Sequence, residues 1–188
     1  MLGEYPMVVS LEDLSLAPHL VMDGFWEMWV TICLAKQFGK RPSRKSWNSI
    51  DVGANFGYYT LLLAMLAPEG KVEAWEPQAS LHAHLHKTLR LNGLGERVTL
   101  RALAAGAEQA SGAYTANRND RGSVSVRVGG AGQLVNIEPL TNAALERVDF
   151  VKIDAEGMEP EIWHGGIGIL RPKAVLLEWS PEKYRDPP

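Results

Sequence analysis

Residues 51–57 read Asp51-Val52-Gly53-Ala54-Asn55-Phe56-Gly57, and their setting decides the fold. Ser49 to Val52 reads as a short strand running straight into this glycine turn, and Tyr58 to Leu66 as an apolar helix ended by Pro68 and Gly70. Strand, tight turn and helix is the unit that opens a doubly wound α/β sheet. Gly53 and Gly57 permit a sharp turn and the close approach of a ligand. The helix that follows offers unpaired N–H groups at its start, where a carboxylate or phosphate binds.

The pattern repeats outward. Lys71 to Trp75 reads as a second strand, Ser80 to Leu91 as a helix with Leu81, Leu85 and Leu89 on one face, and Asn92-Gly93 as its stop. Val98 to Leu103 is a third strand, Val148 to Ile153 a central fourth, Glu159 to Leu170 a helix and Ala174 to Trp179 a fifth strand. Residues 106–137 are rich in Gly, Ser and Asn and read as a hairpin-like excursion. Upstream, His19 to Phe38 shows apolar residues at helical spacing between Pro18 and Gly39, with Cys33, Trp26 and Trp29 expected in the core. Strands alternating with helices imply right-handed crossovers, hence a mostly parallel sheet with flanking helices. One domain is expected over 1–188, with a helical lead-in at 1–47 and a cofactor-binding core at 48–179.

Two acidic residues narrow the ligand. Asp51 stands in the first turn, and Glu76 follows the second strand about 25 residues on, where doubly wound folds hold ribose hydroxyls. A dinucleotide, and with it an NAD-dependent oxidoreductase, is the rival. The turn spaces its glycines as Gly53-x-x-x-Gly57, not G-x-G-x-x-G, and Asp51 would repel a pyrophosphate. S-adenosylmethionine has no phosphate and carries an ammonium and a cationic sulfonium, so carboxylates near the turn favour it. The turn, with Ala54, Asn55 and Phe56, is then expected to hold the methionine portion and Glu76 the ribose. Trp75 or Leu103-Ala104 would flank the adenine. A non-catalytic domain that merely keeps such a pocket is the second alternative.

Asp51 to Thr60 (DVGANFGYYT), Trp75-Glu76-Pro77, Val148 to Gly166 (VDFVKIDAEGMEPEIWHGG) and Leu176-Leu177-Glu178 together resemble the FkbM-type methyltransferases. The resemblance runs from about Trp26-Glu27 to Glu178 and implies a class I methyltransferase-like Rossmann fold. It implies methylation of hydroxyls on small molecules or sugars, with Glu27 approaching the active site. Asn119, Gly122 and Ser123 echo the family's phrase after the third strand, whereas Leu140-Thr141-Asn142 replaces an expected Leu-Asp pair. The family's two further strands have no counterpart in Ser180 to Pro188, so strand 174–179 is expected to be an edge. Such an edge needs cover from residues 111–137, from a second copy or from further chain.

Asp154-Ala155-Glu156-Gly157 follows the fourth strand at the end where ligands of open sheets bind, so Asp154 is the first candidate for orienting or deprotonating an acceptor, or for holding the cofactor. The plainer role is capping the next helix. His164 is a second candidate base, while Glu159 and Glu161 read as solvated first-turn residues. His82, His84 and His86 lack a third ligand at convincing spacing, so no metal is expected. Asp186-Pro187-Pro188 resembles a motif of amino-group methyltransferases but stands far from the fourth strand, where that motif belongs.

Composition is that of an ordinary globular protein: 188 residues, 46% hydrophobic, 22% charged, net charge −3. There is no basic excess for nucleic acid, and the cluster Lys40, Arg41, Arg44, Lys45 reads as a solvated loop. A single cysteine forms no intrachain disulfide. No signal-peptide pattern opens the chain, and no stretch reaches the roughly 20 apolar residues of a membrane span. A cytoplasmic location without a membrane partner is the expectation.

Overall fold

The structure, a computed structural model, describes residues 5–115 and 124–179. Five parallel strands form the main sheet: β1 (Ser49–Val52), β2 (Val72–Trp75), β3 (Val98–Arg101), β8 (Phe150–Ile153) and β9 (Ala174–Leu177), in the order β3-β2-β1-β8-β9. The order reverses at β1, so β1 and β8 lie side by side although the chain between them is long. Ligands of open sheets gather at such a reversal, beyond the strands' carboxyl ends. This is the Rossmann-like α/β arrangement expected from the sequence.

Helices cover the sheet as the crossovers require. α3 (Tyr58–Leu66) and α4 (Ala79–Leu91) link β1 to β2 and β2 to β3. Leu61, Leu62, Leu63 and Ala64 of α3 are fully buried, and Leu81, Leu85 and Leu89 turn the inner face of α4 to the core. Between β8 and β9 the chain forms α5 (Glu159–Ile162), a π-helical turn (Trp163–Ile167) and α6 (Gly168–Leu170). Gly165 lies so close to the backbone of Ala107 that a Cβ there would stand 2.4 Å from its Cα. The glycine pair therefore lets the widened turn press against the neighbouring sheet.

Several expectations are corrected. Residues 19–38 are not one helix but two, α1 (Leu16–Met22) and α2 (Met28–Gly39), parted where Gly24 (φ 74) and Glu27 (φ 43) adopt left-handed backbone. On α2 the buried positions are Thr31, Leu34 and Phe38, which turns Trp29 (81% exposed) and Cys33 outward. The third strand ends at Arg101, and Ala104–Gly106 (β4) joins a second sheet with β5 (Ala110–Tyr114), β6 (Val126–Val128) and β7 (Gln133–Pro139), ordered β4-β7-β5-β6. Within this sheet β5 pairs antiparallel with β6, the hairpin-like excursion foreseen, but none of its strands pairs with β9. Among the described residues, those of 111–137 thus give that edge no strand partner. Asn119, Gly122, Ser123 and Asp186-Pro187-Pro188 lie outside the described residues.

Candidate active site

A cavity of about 260 Å³ opens beyond the carboxyl ends of β1, β2 and β8. Its floor is the turn Gly53, Ala54 and Asn55. Trp75 and Glu76 line one side, Leu103, Ala104 and Val126 a second, and Asp154, Glu156 and Met158 a third. Trp26 from the loop before α2 and Tyr58 and Tyr59 from α3 supply aromatic surface, and Glu27 and Glu178 complete the rim.

Glu76 is 2% exposed and firmly placed. Its carboxylate accepts the N–H of Asn55 at 2.8 Å and that of Gln78 at 2.8 Å, so the end of β2 is tied to the turn after β1. Burial pushes Glu76 up to about 7, against the pull of the Gln78 and Asn55 amides and of Lys152. Asn55 itself is held at φ 51, and its side-chain oxygen is buried without a hydrogen-bond partner among the described residues. Such an orphaned acceptor in a cavity wall calls for a donor from a ligand.

The turn after β8 is built by Glu159, whose carboxylate accepts the N–H of Ala155 at 2.8 Å and of Gly157 at 2.9 Å. Glu159 is 2% exposed, not the solvated residue its position in a first turn suggested; it braces the turn before α5, whose N-cap position, Met158, makes no side-chain capping bond. Asp154, Glu156 and Glu178 carry carboxylate oxygens within 4.8 Å of one another. Tyr59 donates its hydroxyl to Glu27 at 2.5 Å, and burial together with that carboxylate pushes the phenol well above its ordinary range. Carboxylates and aromatic faces together describe a receptor for a cation.

Residues 51–188 match the family model described as Methyltransferase FkbM domain. The chain belongs to this family. No curated protein matches the sequence. Among solved structures, a candidate O-methyltransferase from Klebsiella pneumoniae is 15% identical with a TM-score of 0.37, the match covering 77% of this chain and 61% of that one. Cofactor-bound Rv0187 from MTB is 14% identical with a TM-score of 0.38, covering 79% and 62%. The chain thus spans less than two thirds of either protein, and the assignment rests on the family match.

In this FkbM methyltransferase domain the cavity brings together Gly53, Ala54, Asn55, Trp75, Glu76, Leu103, Ala104 and Asp154. It leaves out four other residues the sequence singled out. Asp51 is fully buried behind the turn, accepting the Thr60 hydroxyl at 2.5 Å. Phe56 packs beneath α1 and α4 with Leu16, Ala17 and Leu81. Gly57 (φ 90) makes room for protein: a Cβ there would stand 2.2 Å from Leu85 Cδ1. His164 is exposed and contributes nothing to the cavity wall. The three histidines of α4 form no ligand cluster among the described residues; His82 instead meets the Glu76 carbonyl at 2.7 Å. Sequence reading missed Lys152, a cavity residue only 4% exposed. Its signal was a lone lysine inside the otherwise apolar run Phe150 to Ile153.

The position of Glu76 carries a pH dependence. With its carboxyl raised to about 7 by burial, the folded protein holds a proton that the unfolded chain has lost, so this group's contribution to stability falls as pH rises from the ordinary carboxyl range through about 7. On the expectation that Glu76 takes the ribose of S-adenosylmethionine, the donors of that ribose favour the ionised form. The ratio of wild-type to Glu76→Gln affinity for S-adenosylmethionine should therefore rise between about pH 6 and pH 8 and then level off. Calorimetric titrations across that range read the ratio; a flat one removes Glu76 from the ligand.

Proposed function

We propose that this domain transfers the methyl group of S-adenosylmethionine to a hydroxyl of a small molecule or sugar. The observation that carries the reading is the ring of carboxylates around one aromatic-walled cavity, Glu27, Glu76, Asp154, Glu156 and Glu178, at the reversal of strand order in an FkbM methyltransferase domain. Glu76 keeps lone pairs for the ribose diol, Leu103 and Ala104 with the end of β2 at Trp75 offer an apolar wall for the adenine, and the orphaned Asn55 oxygen with Asp154 suits the cofactor's ammonium. A dinucleotide pyrophosphate would meet carboxylates on three sides. The residues present fit the sulfonium cofactor.

When bound, S-adenosylmethionine supplies a methyl group already activated on cationic sulfur. The protein's part is alignment and exclusion of water, and effective molarities of about 10⁵ M or more are available from placement alone. Asp154, read from the sequence as the catalytic candidate, stands 3.1 Å from the Lys152 ammonium. A carboxylate so paired is a poor base and a good fixed anion. We therefore place it as a charge partner for the cofactor's cationic end. Charge-assisted hydrogen bonds are worth about 1.5–3 kcal/mol, so Asp154→Asn should weaken S-adenosylmethionine binding roughly tenfold or more, with turnover falling alongside. A lower melting temperature with unchanged affinity would leave Asp154 a structural residue only.

Isotopically labelled cofactor, offered with a panel of hydroxylated acceptors and read by mass spectrometry, tests the function itself. Label found in an O-methyl product supports the reading. Tight cofactor binding without any transfer supports a non-catalytic domain, and binding of NAD in its place overturns both.

A further inference from the structure

Among the described residues Lys152 is the only buried lysine or arginine. An ammonium taken out of water costs several kcal/mol unless it is closely paired. Here Nζ donates to the Gly53 carbonyl at 3.1 Å, the Val52 carbonyl at 3.4 Å and Asp154 Oδ2 at 3.1 Å. It lies 3.7 Å from Asp51 Oδ1 and 5.1 Å from the centre of the Tyr59 ring. Filling a gap between β1 and β8 would need only one counter-ion, and fully buried Asp51 is that counter-ion. The second carboxylate is different: the Asp154 side chain is 30% exposed and lines the cavity. Lys152 thus joins the turn after β1, the turn after β8 and a carboxylate of the cavity wall.

We propose that Lys152 is the positioning residue of the cofactor site, its ammonium holding Asp154 as an anion aimed into the cavity while it locks the two turns together. The proposal rests on the cofactor reading above. Every element packed around the ammonium presents a titratable group: Asp51 from β1, Tyr59 from α3, Glu27 from the start of α2, Glu76 from the end of β2 and Asp154 from its own turn. Glu156 and Glu178 line the same cavity. Burial alone would pull Lys152 down, but Asp154 and Asp51 outweigh it and hold the amine above its ordinary value. Asp51 and Asp154 repel each other, so without the ammonium Asp154 would take up a proton more readily.

The test compares Asp51→Asn with the double variant Asp51→Asn/Lys152→Met, which removes both members of the buried pair so that neither is left behind without its counter-ion. Lys152→Arg keeps the charge. Carboxylate NMR of labelled aspartate follows the titration of Asp154, and calorimetry follows S-adenosylmethionine. The Asp154 midpoint should rise by about one pH unit or more in the double variant relative to Asp51→Asn, and near-neutral affinity should fall about tenfold. Lys152→Arg should stay close to wild type in both. An unmoved midpoint, with only a lower melting temperature, overturns the proposal and leaves Lys152 a packing residue. A moved midpoint with undiminished affinity overturns its functional half. If the wild-type chain fails to bind S-adenosylmethionine, the cofactor reading falls, and the Asp154 titration still decides what Lys152 does.

Discussion

Gly53→Ala is expected to cost the fold about 3 kcal/mol or more and to abolish cofactor binding. Two effects add at this position. Gly53 sits at φ +72, where an L side chain is strained by about 1–2 kcal/mol. The new Cβ would also lie 1.8 Å from the backbone oxygen of Asp154, so the turns after β1 and β8 must separate. Backbone cannot rotate away as a side chain can. Separation breaks the contacts that Lys152 makes to both turns and opens the cavity floor. In a chain of this size a loss of 3 kcal/mol lowers the melting temperature by roughly 6–12 °C. Gly57→Ala and Gly93→Ala calibrate the result. Gly93 (φ +64) has nothing within 4 Å and isolates backbone strain, while Gly57 (φ +90) adds a clash with the movable end of Leu85. Melting temperatures should fall in the order Gly93, Gly57, Gly53 from least to most affected, and only Gly53→Ala should lose S-adenosylmethionine altogether. Wild-type affinity in Gly53→Ala would show that the two turns part without cost to the site.

Glu76→Ala should weaken S-adenosylmethionine binding by at least tenfold and destabilise the protein as well. The affinity term is the loss of charge-assisted bonds, about 1.5–3 kcal/mol each. The stability term arises because the amides of Asn55 and Gln78 both donate to this carboxylate, and removing it leaves two buried donors unpaired. Each such orphan costs about 1–3 kcal/mol, offset in part by relief of a buried carboxyl. Glu76→Gln separates the terms: its one carbonyl oxygen still accepts, so melting should recover more than affinity does. Calorimetry and thermal denaturation on the two variants give the split. Equal recovery of both would mean that Glu76 only braces the turn.

The first two strands were legible in the sequence because a turn signal follows each, Gly53 after β1 and the Glu76-Pro77 pair after β2, whereas no such signal marks the end of β3 at Arg101. The cavity-facing part of the site was legible for the same reason, since the ends of central strands meet by topology. What was not legible depended on distance in space. Asp51 and Gly57 look like ligand residues by spacing, yet one faces Thr60 and Lys152 and the other faces Leu85. Glu159 looked solvated because a first-turn glutamate usually is, and only the curl of the turn after β8 shows its carboxylate drawn back over Ala155 and Gly157. Lys152 was hidden by its apolar neighbours, with all its partners but Asp154 remote in the chain. The apolar residues of 19–38 have helical spacing on both sides of the break, so periodicity alone ran the two helices together.

The pairing of β1 with β8 has a bearing on how the chain assembles. One neighbour of β1 is supplied early, Asp51 lying beside Ala74. The other arrives late: the bonds from Lys152 to Gly53 and Val52 close loops of 99 and 100 residues. Contacts so remote in the chain slow folding, because the entropy of closing the loop is lost before the contact forms. Until β8 docks, one edge of β1 lacks its partner, and the Asp51 carboxylate lacks its counter-ion. The ligand cavity is therefore expected to form only once the two halves of the sheet have joined.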